Sequence, residues 1–322
     1  MKIVHIVPGF GNTFYCGNCL RDSSLVRTLR SAGHDATILP VYLPLTTYKD
    51  WQPKAPPVFY GAVSIYLRQI FPPLRRMPRW LHTLLNSAPV LRLAVRASGS
   101  TRANGLEGLT ESMLLGEKGY QRDDLKELTQ YLKTTAKPDI VHLSNALLLG
   151  MTGMIRKEAG IPVVCSLQDE DVWIDAMEPP EREKMWNLMS ERAGECDALI
   201  AVSNWFSGEM SARLHLIPEK IHTISIGIET ERYRYSSPAI NPPVIGYLSR
   251  MSHENGFGLF IDAFILLMKN PDFGQVKIRI TGGKTGDDSA FLQEQFRKLK
   301  KAGLEDAVET GSGFTMPGLT GF

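Results

Sequence analysis

Gln168-Asp169-Glu170-Asp171 places three consecutive carboxylates directly after the apolar run Val163 to Leu167. In an open α/β sheet the C-terminal ends of the strands face the ligand crevice, so carboxylates at that point can hold sugar hydroxyls, a metal or nothing. The same rule selects His142 and Asn145, at the end of Asp139-Ile-Val-His-Leu-Ser-Asn, and Ser203 with Asn204 after the run Ala198 to Val202. Arg250 ends another such run, within Gly246-Tyr-Leu-Ser-Arg-Met-Ser-His-Glu-Asn-Gly256. A guanidinium there can grip a diphosphate through paired charge-assisted bonds of roughly 1.5–3 kcal/mol each, a solvated arginine in a turn being the plainer alternative.

Three further patterns invite chemistry and are narrowed by what surrounds them. Gly9-x-Gly11 follows an apolar run, but Phe14 stands where a dinucleotide fingerprint needs its third glycine, and no acidic residue closes the next strand. That argues against a nicotinamide enzyme and leaves a glycine loop feeding a helix N-terminus, which is an anion site. Gly283-Lys284-Thr285 resembles the end of a phosphate loop, yet Ile278 occupies the required glycine position. Cys16-Gly17-Asn18-Cys19 has redox-motif spacing near a helix start. A zinc site would need two more ligands, and Cys165 and Cys196 are isolated in sequence, so the pair reads as structural.

The elements that position these groups follow from hydrophobic patterning. Lys2 to Val7 reads as a buried strand, residues 8–19 as a loop, Leu20 to Ala32 as a helix ended by Gly33, and Ala36 to Val41 as a second strand, with His34 and Asp35 in a surface turn. This is the opening of a doubly wound α/β domain. The grammar returns with helices at Leu125 to Leu132, Ala146 to Ala159, Pro180 to Cys196 and Trp205 to Leu214, and strands at 138–143, 163–167, 198–202 and 221–226. Residues 233–243, with three prolines, read as a linker. A second unit then shows strands at Val244 to Leu248 and Val276 to Thr281 and helices at Phe257 to Lys269 and Ser289 to Ala302.

Composition bounds the function. The 322 residues are 43% hydrophobic and 22% charged, with net charge +2, which excludes a disordered chain and offers no bulk attraction for nucleic acid. No run of about 18 apolar residues marks a membrane span. Four cysteines without an export signal point to reduced thiols in the cytosol. Residues 51–104 stand apart: they contain Arg75, Arg76 and Arg79 among interleaved apolar residues and no acidic residue after Trp51. Such a stretch either folds over the sheet as an insertion or lies on an anionic membrane surface.

In order and spacing, these segments resemble the GT-B glycosyltransferases, in particular the retaining group-1, family 4 enzymes. The resemblance rests on the N-terminal glycine loop, Gly33-His34-Asp35, Pro138-Asp-Ile-Val-His142, Asp197-Ala-Leu-Ile-Ala-Val-Ser203, Gly227-Ile-Glu229 to Tyr233, and Ile245-Gly-Tyr-Leu-Ser-Arg250. It implies two Rossmann-like doubly wound domains, the second incomplete: residues 1–232 on the acceptor side, a linker at 233–243, and a partial nucleotide-sugar-binding domain at 244–322. It implies a sugar moved from a nucleotide-sugar donor to a glycan, lipid or small-molecule acceptor with retention of configuration. Gly17 and Asn18 are expected near the donor phosphates or the acceptor, Arg250, Gly282 and Gly283 on the donor-phosphate side, and His142, Asn145 and Ser203 on the acceptor side. Gln168, Glu170 and Asp171 are the candidate catalytic residues, with no metal and no cofactor besides the nucleotide-sugar. The expected setting is cytoplasmic, peripheral to a membrane if residues 51–104 dock there.

The chain departs from the family pattern at Asn255, where a lysine is usual, at Gln168, where a histidine is common, and at Ile226, where an asparagine is usual. No Glu-x7-Glu segment follows before Phe322, so the reading expects a fragment or a truncated frame. These departures also keep open a GT-B-like binding protein that lacks the chemistry.

Overall fold

The structure, a computed structural model, describes residues 1–8, 17–42, 106–228, 230, 241–284 and 288–311. The chain divides into two compact units, one running to Ile228 and the other built from the residues beyond it.

The first unit holds a parallel sheet of six strands: β1 (Lys2–Val7), β2 (Asp35–Pro40), β3 (Ile140–Leu143), β4 (Val163–Ser166), β5 (Ala198–Ala201) and β6 (Ile221–Thr223). Their order is β2-β1-β3-β4-β5-β6. The chain adds β2 on one side of β1 and then returns to add β3 on the other, so the winding direction reverses between β1 and β3. That reversal opens a crevice at the C-terminal ends of these strands.

Both faces of β1 are covered, which is why its sequence is apolar apart from Lys2 and His5. Val4 and Ile6 pack into a large core with Val141, Leu143, Val163 and Leu199, while Ile3 and Val7 point the other way, onto Val26, Ala36 and Ile38. Val26 belongs to α1 (Gly17–Ser31). The opposite layer contains α2 (Glu107–Leu115), α3 (Arg122–Tyr131), a helical run over 146–159, α4 (Glu170–Asp175), α5 (Pro179–Glu195) and α6 (Asn204–Leu214). Gly33 ends α1 at φ 84°, with the His34 N–H reaching back to the Leu29 carbonyl at 3.0 Å. A side chain at that angle would be strained, so the glycine sets where the turn into β2 falls.

The second unit shows three parallel strands in the order β7-β8-β9: β7 (Val244–Leu248), β8 (Lys277–Thr281) and β9 (Val308–Thr310). Among the described residues, α7 (Phe257–Leu267) and α8 (Ser289–Lys301) cover it. Phe257, Ile261 and Phe264 of α7 meet Ile278, Ile280, Leu292 and Leu299 in its core.

Three sequence expectations need correction. The first helix starts at Gly17, not Leu20, so Gly17 and Asn18 lie in its first turn and not in the preceding loop. Asp35 is the first residue of β2, because its N–H bonds the Met1 carbonyl at 2.9 Å beside β1. The strand expected over 221–226 stops at Thr223. Beyond it the Ile224 N–H still bonds the neighbouring strand end, and the Ile224 and Ile226 side chains are exposed.

Candidate functional site

In the first unit, polar groups gather where the strand order reverses. The loop after β3 continues the sheet for one residue, the Ser144 N–H bonding the Ile6 carbonyl at 2.9 Å. The loop after β4 closes onto it, because the Gln168 side-chain amide donates to the Ser144 carbonyl. Asp169 turns at φ 54°, a left-handed conformation that aspartate tolerates better than most residues, and α4 begins directly after it. The Asn18 amide, from the first turn of α1, donates to Asp169 Oδ2 at 3.2 Å.

Beneath these groups lies Glu170, 1% exposed. One carboxylate oxygen accepts the Ala146 N–H at 2.6 Å and the other the Gln168 N–H at 2.5 Å. Burial pushes its carboxyl up to about 7, against the opposing pull of the main-chain N–H groups of Ala146, Glu170 itself and Gln168. The side-chain oxygens of Asn145 and Gln168 are buried and find no partner among the described residues. Asp171, half-buried, stands one residue further along α4.

His142 sits a layer lower, inside the sheet. Its Nε2 pairs with Ser166 Oγ at 2.9 Å, and its ring lies 4.4 Å from that of His5, its register partner on β1. Burial holds the His142 imidazole well below the usual histidine range, with His5 and the Arg21 guanidinium adding to the effect. A histidine so placed is neutral at pH 7 and supports the strand ends without reaching into the crevice. Ser203 stands at the end of β5, the neighbour of β4, and caps α6 by accepting the Phe206 N–H at 3.1 Å.

Thus the structure brings together Asn18, Asn145, Gln168, Glu170 and, adjoining them, Asp171; Gly17 opens the same helix turn as Asn18, His142 is beneath, and Ser203 is on the next strand. Two residues missed in the sequence belong with them. Arg21 is one helical turn beyond Asn18 and interacts electrostatically with Asp22, Glu170 and Asp169, while burial lowers its pKa. The i, i+3 spacing from Asn18 was the available signal. His5 forms a 3.1 Å pair with Asp22 inside the unit. Its signal was a lone imidazole within the apolar run Lys2–Val7.

The residues of the second unit expected on the donor-phosphate side also meet one another. Arg250 forks onto Asp288, Nε to Oδ2 at 3.1 Å and a terminal nitrogen to Oδ1 at 3.0 Å. The guanidinium is 42% exposed while the aspartate is 7% exposed, so the buried carboxylate fixes one edge of the fork. The Met251 N–H bonds the Gly283 carbonyl at 2.9 Å. Gly282 runs so close to the β7 end that a Cβ there would stand 1.7 Å from the Ser249 carbonyl oxygen. Arg250, Gly282 and Gly283 therefore share the strand ends of β7 and β8. Asn255 folds back on the same loop, its amide donating to Ser249 Oγ at 3.1 Å and to the Arg250 carbonyl at 3.2 Å.

Gly9, Gly11, Cys16 and the basic stretch 51–104 lie outside the described residues. Among the described residues, no group of three His, Cys, Asp or Glu is placed to hold a metal ion, and no helix is long and apolar enough to cross a membrane.

Two α/β units with parallel sheets are the architecture of the GT-B glycosyltransferases, and comparison with known proteins bears this out. HepE from Anabaena, solved in complex with UDP, superposes with a TM-score of 0.59 at 15% identity, over 98% of this chain and 70% of that one. Sucrose-phosphate synthase from Thermosynechococcus elongatus gives 0.60 at 12% identity, over 98% and 71%. At these identities the likeness is one of fold. Residues 111–232 match the model of Glycosyltransferase Family 4. A lipopolysaccharide core biosynthesis mannosyltransferase, LpsB of Rhizobium meliloti (strain 1021), is 31% identical over 123 residues, which is 35% of this chain and 32% of the relative. The chain thus aligns with about a third of that relative's length.

Proposed function

We propose that this chain is a glycosyltransferase that moves a sugar from a nucleotide-sugar donor to a glycan, lipid or small-molecule acceptor, with retention of configuration. The observation that carries the reading is where the family match falls. Residues 111–232 include the strand ends that hold Asn145, Gln168, Glu170, Asp171 and Ser203. The solved relatives with UDP, and with UDP and glucose, support a nucleotide-sugar as donor.

In this reading Arg250 and the main-chain groups around Gly282 and Gly283 hold the diphosphate. The bond from the sugar's anomeric carbon to the diphosphate breaks, a bond from that carbon to the acceptor's hydroxyl oxygen forms, and the proton of that hydroxyl passes to the departing diphosphate oxygen. The nucleoside diphosphate leaves with the electron pair, and the guanidinium offsets the charge that develops on it. No metal ion is assigned to this step. Asn18, Asn145, Gln168 and Asp171 offer the amide and carboxylate groups that match hydroxyls on the acceptor side.

The test is incubation with UDP-, GDP- and ADP-sugars, following nucleotide release and the anomeric configuration of the product. Release with a retained anomer supports the proposal; neither release nor binding with any of the three overturns it. Asn255 favours a second reading, a binding protein of the same fold without turnover. Where the family usually carries a lysine, this side chain is neutral and bonded within its own loop. Binding without transfer would select that reading.

A further inference from the structure

Glu170 has both carboxylate oxygens on main-chain N–H groups that belong to different strand-end loops. Ala146 opens the helical run after β3, and Gln168 follows β4. A second bond, from the Gln168 amide to the Ser144 carbonyl, crosses the same gap. A carboxylate is an unusual choice for a site this buried, since an apolar side chain would avoid the desolvation cost. What it provides instead is two acceptors set apart by the width of a carboxyl group, which spans two loops at once.

We propose that Glu170 is the positioning residue of this crevice: its carboxyl group ties the loop after β3 to the loop after β4, and so holds Asn145, Gln168 and Asp169 in one arrangement. The groups that those three would touch rest on the acceptor-side reading given above; the tie itself does not. The groups facing the carboxyl are Asp169 on its own turn, Arg21 from α1 and Cys165 from β4, with Asp22 and His142 acting on Arg21.

The tie carries a sign. Closed, the carboxyl is in a dry site and holds its proton up to a pH of about 7. Opened to water, it returns to the ordinary 4.5 of a glutamate. Opening therefore releases a proton and is favoured as pH rises. A cap that served structure alone through its shape would show no such dependence.

Amide hydrogen exchange at Ala146 and Gln168 tests this on the ligand-free full chain, corrected for intrinsic exchange and referenced to Ile278 in β8. Between pH 5.5 and 8.5, protection at both amides is expected to fall together by roughly thirtyfold, while Ile278 stays level. In Glu170→Gln both amides are expected to be less protected, and level with pH. A flat response in the unsubstituted chain, independent responses at the two amides, or a pH response that survives in Glu170→Gln would each overturn the proposal. The titration of the unsubstituted chain decides the matter even if the variant does not fold, and none of these readouts depends on glycosyl transfer.

Discussion

Asn18 and Asp169 are 151 positions apart in sequence, yet their side chains meet at 3.2 Å and join the first turn of α1 to the loop after β4. The bond is exposed, so it contributes little to stability and mainly fixes where the two groups stand. Asn18→Ala is expected to change the unfolding free energy by less than about 1 kcal/mol. Binding of an acceptor is expected to weaken several-fold. Denaturant unfolding alongside acceptor titration separates the two effects.

Glu170 also sets a pH dependence for the stability of the first unit. Its folded-state pKa is about 7, above the 4.5 of an unperturbed glutamate, so the folded chain binds this proton more tightly than the unfolded chain does. The contribution is fully present below pH 4.5 and is lost as pH rises through 7. Its full size is on the order of 3 kcal/mol, at 1.36 kcal/mol for each unit of pKa difference. Urea unfolding at pH 5 and pH 8 is expected to show this part of the slope in the unsubstituted chain and to lack it in Glu170→Gln.

Much of this architecture was legible in the sequence, for a physical reason. The strands of a covered parallel sheet are apolar on both sides, so Lys2–Val7 and Val163–Ser166 stand out from their surroundings. The crevice followed from the strand ends, which is how His142, Asn145, Gln168 and Ser203 were selected. Burial within a polar run was not legible. Glu170 lies between Asp169, which is exposed, and Asp171, which is half-buried, and nothing in a run of three carboxylates shows which one turns inward. Tertiary hydrogen bonds from Ala146 and Gln168 decide it. The start of α1 was missed for a related reason. Gly17 is a poor helix residue and Asn18 an indifferent one, and propensity gives way to the tertiary bond from Asn18.

Gly282 is expected to be intolerant of any side chain. A Cβ would meet backbone, the Ser249 carbonyl oxygen at 1.7 Å, and backbone cannot rotate away as a side chain can. Gly282→Ala is expected to destabilise the second unit by about 2–4 kcal/mol or to push the β7 and β8 ends apart. Thermal unfolding followed by probes in each unit would localise the loss, which should leave the first unit's transition in place.

The basic stretch 51–104 carries a separate expectation from sequence alone. If it docks on anionic lipid, the chain floats with vesicles rich in phosphatidylserine and is released at high salt. Replacing Arg75, Arg76 and Arg79 together with serine is expected to reduce flotation by roughly tenfold or more, at about 1 kcal/mol for each arginine near the surface. Unchanged flotation would remove the membrane from the account.

Titration of the chain with UDP-, GDP- and ADP-sugars, repeated on Arg250→Lys, tests the central claim most directly. Lysine keeps the charge but has no fork to share between Asp288 and a diphosphate. Saturable binding of at least one nucleotide-sugar is expected, with an affinity about tenfold lower in the variant. No binding of any nucleotide-sugar, or equal affinity in the two proteins, would contradict it.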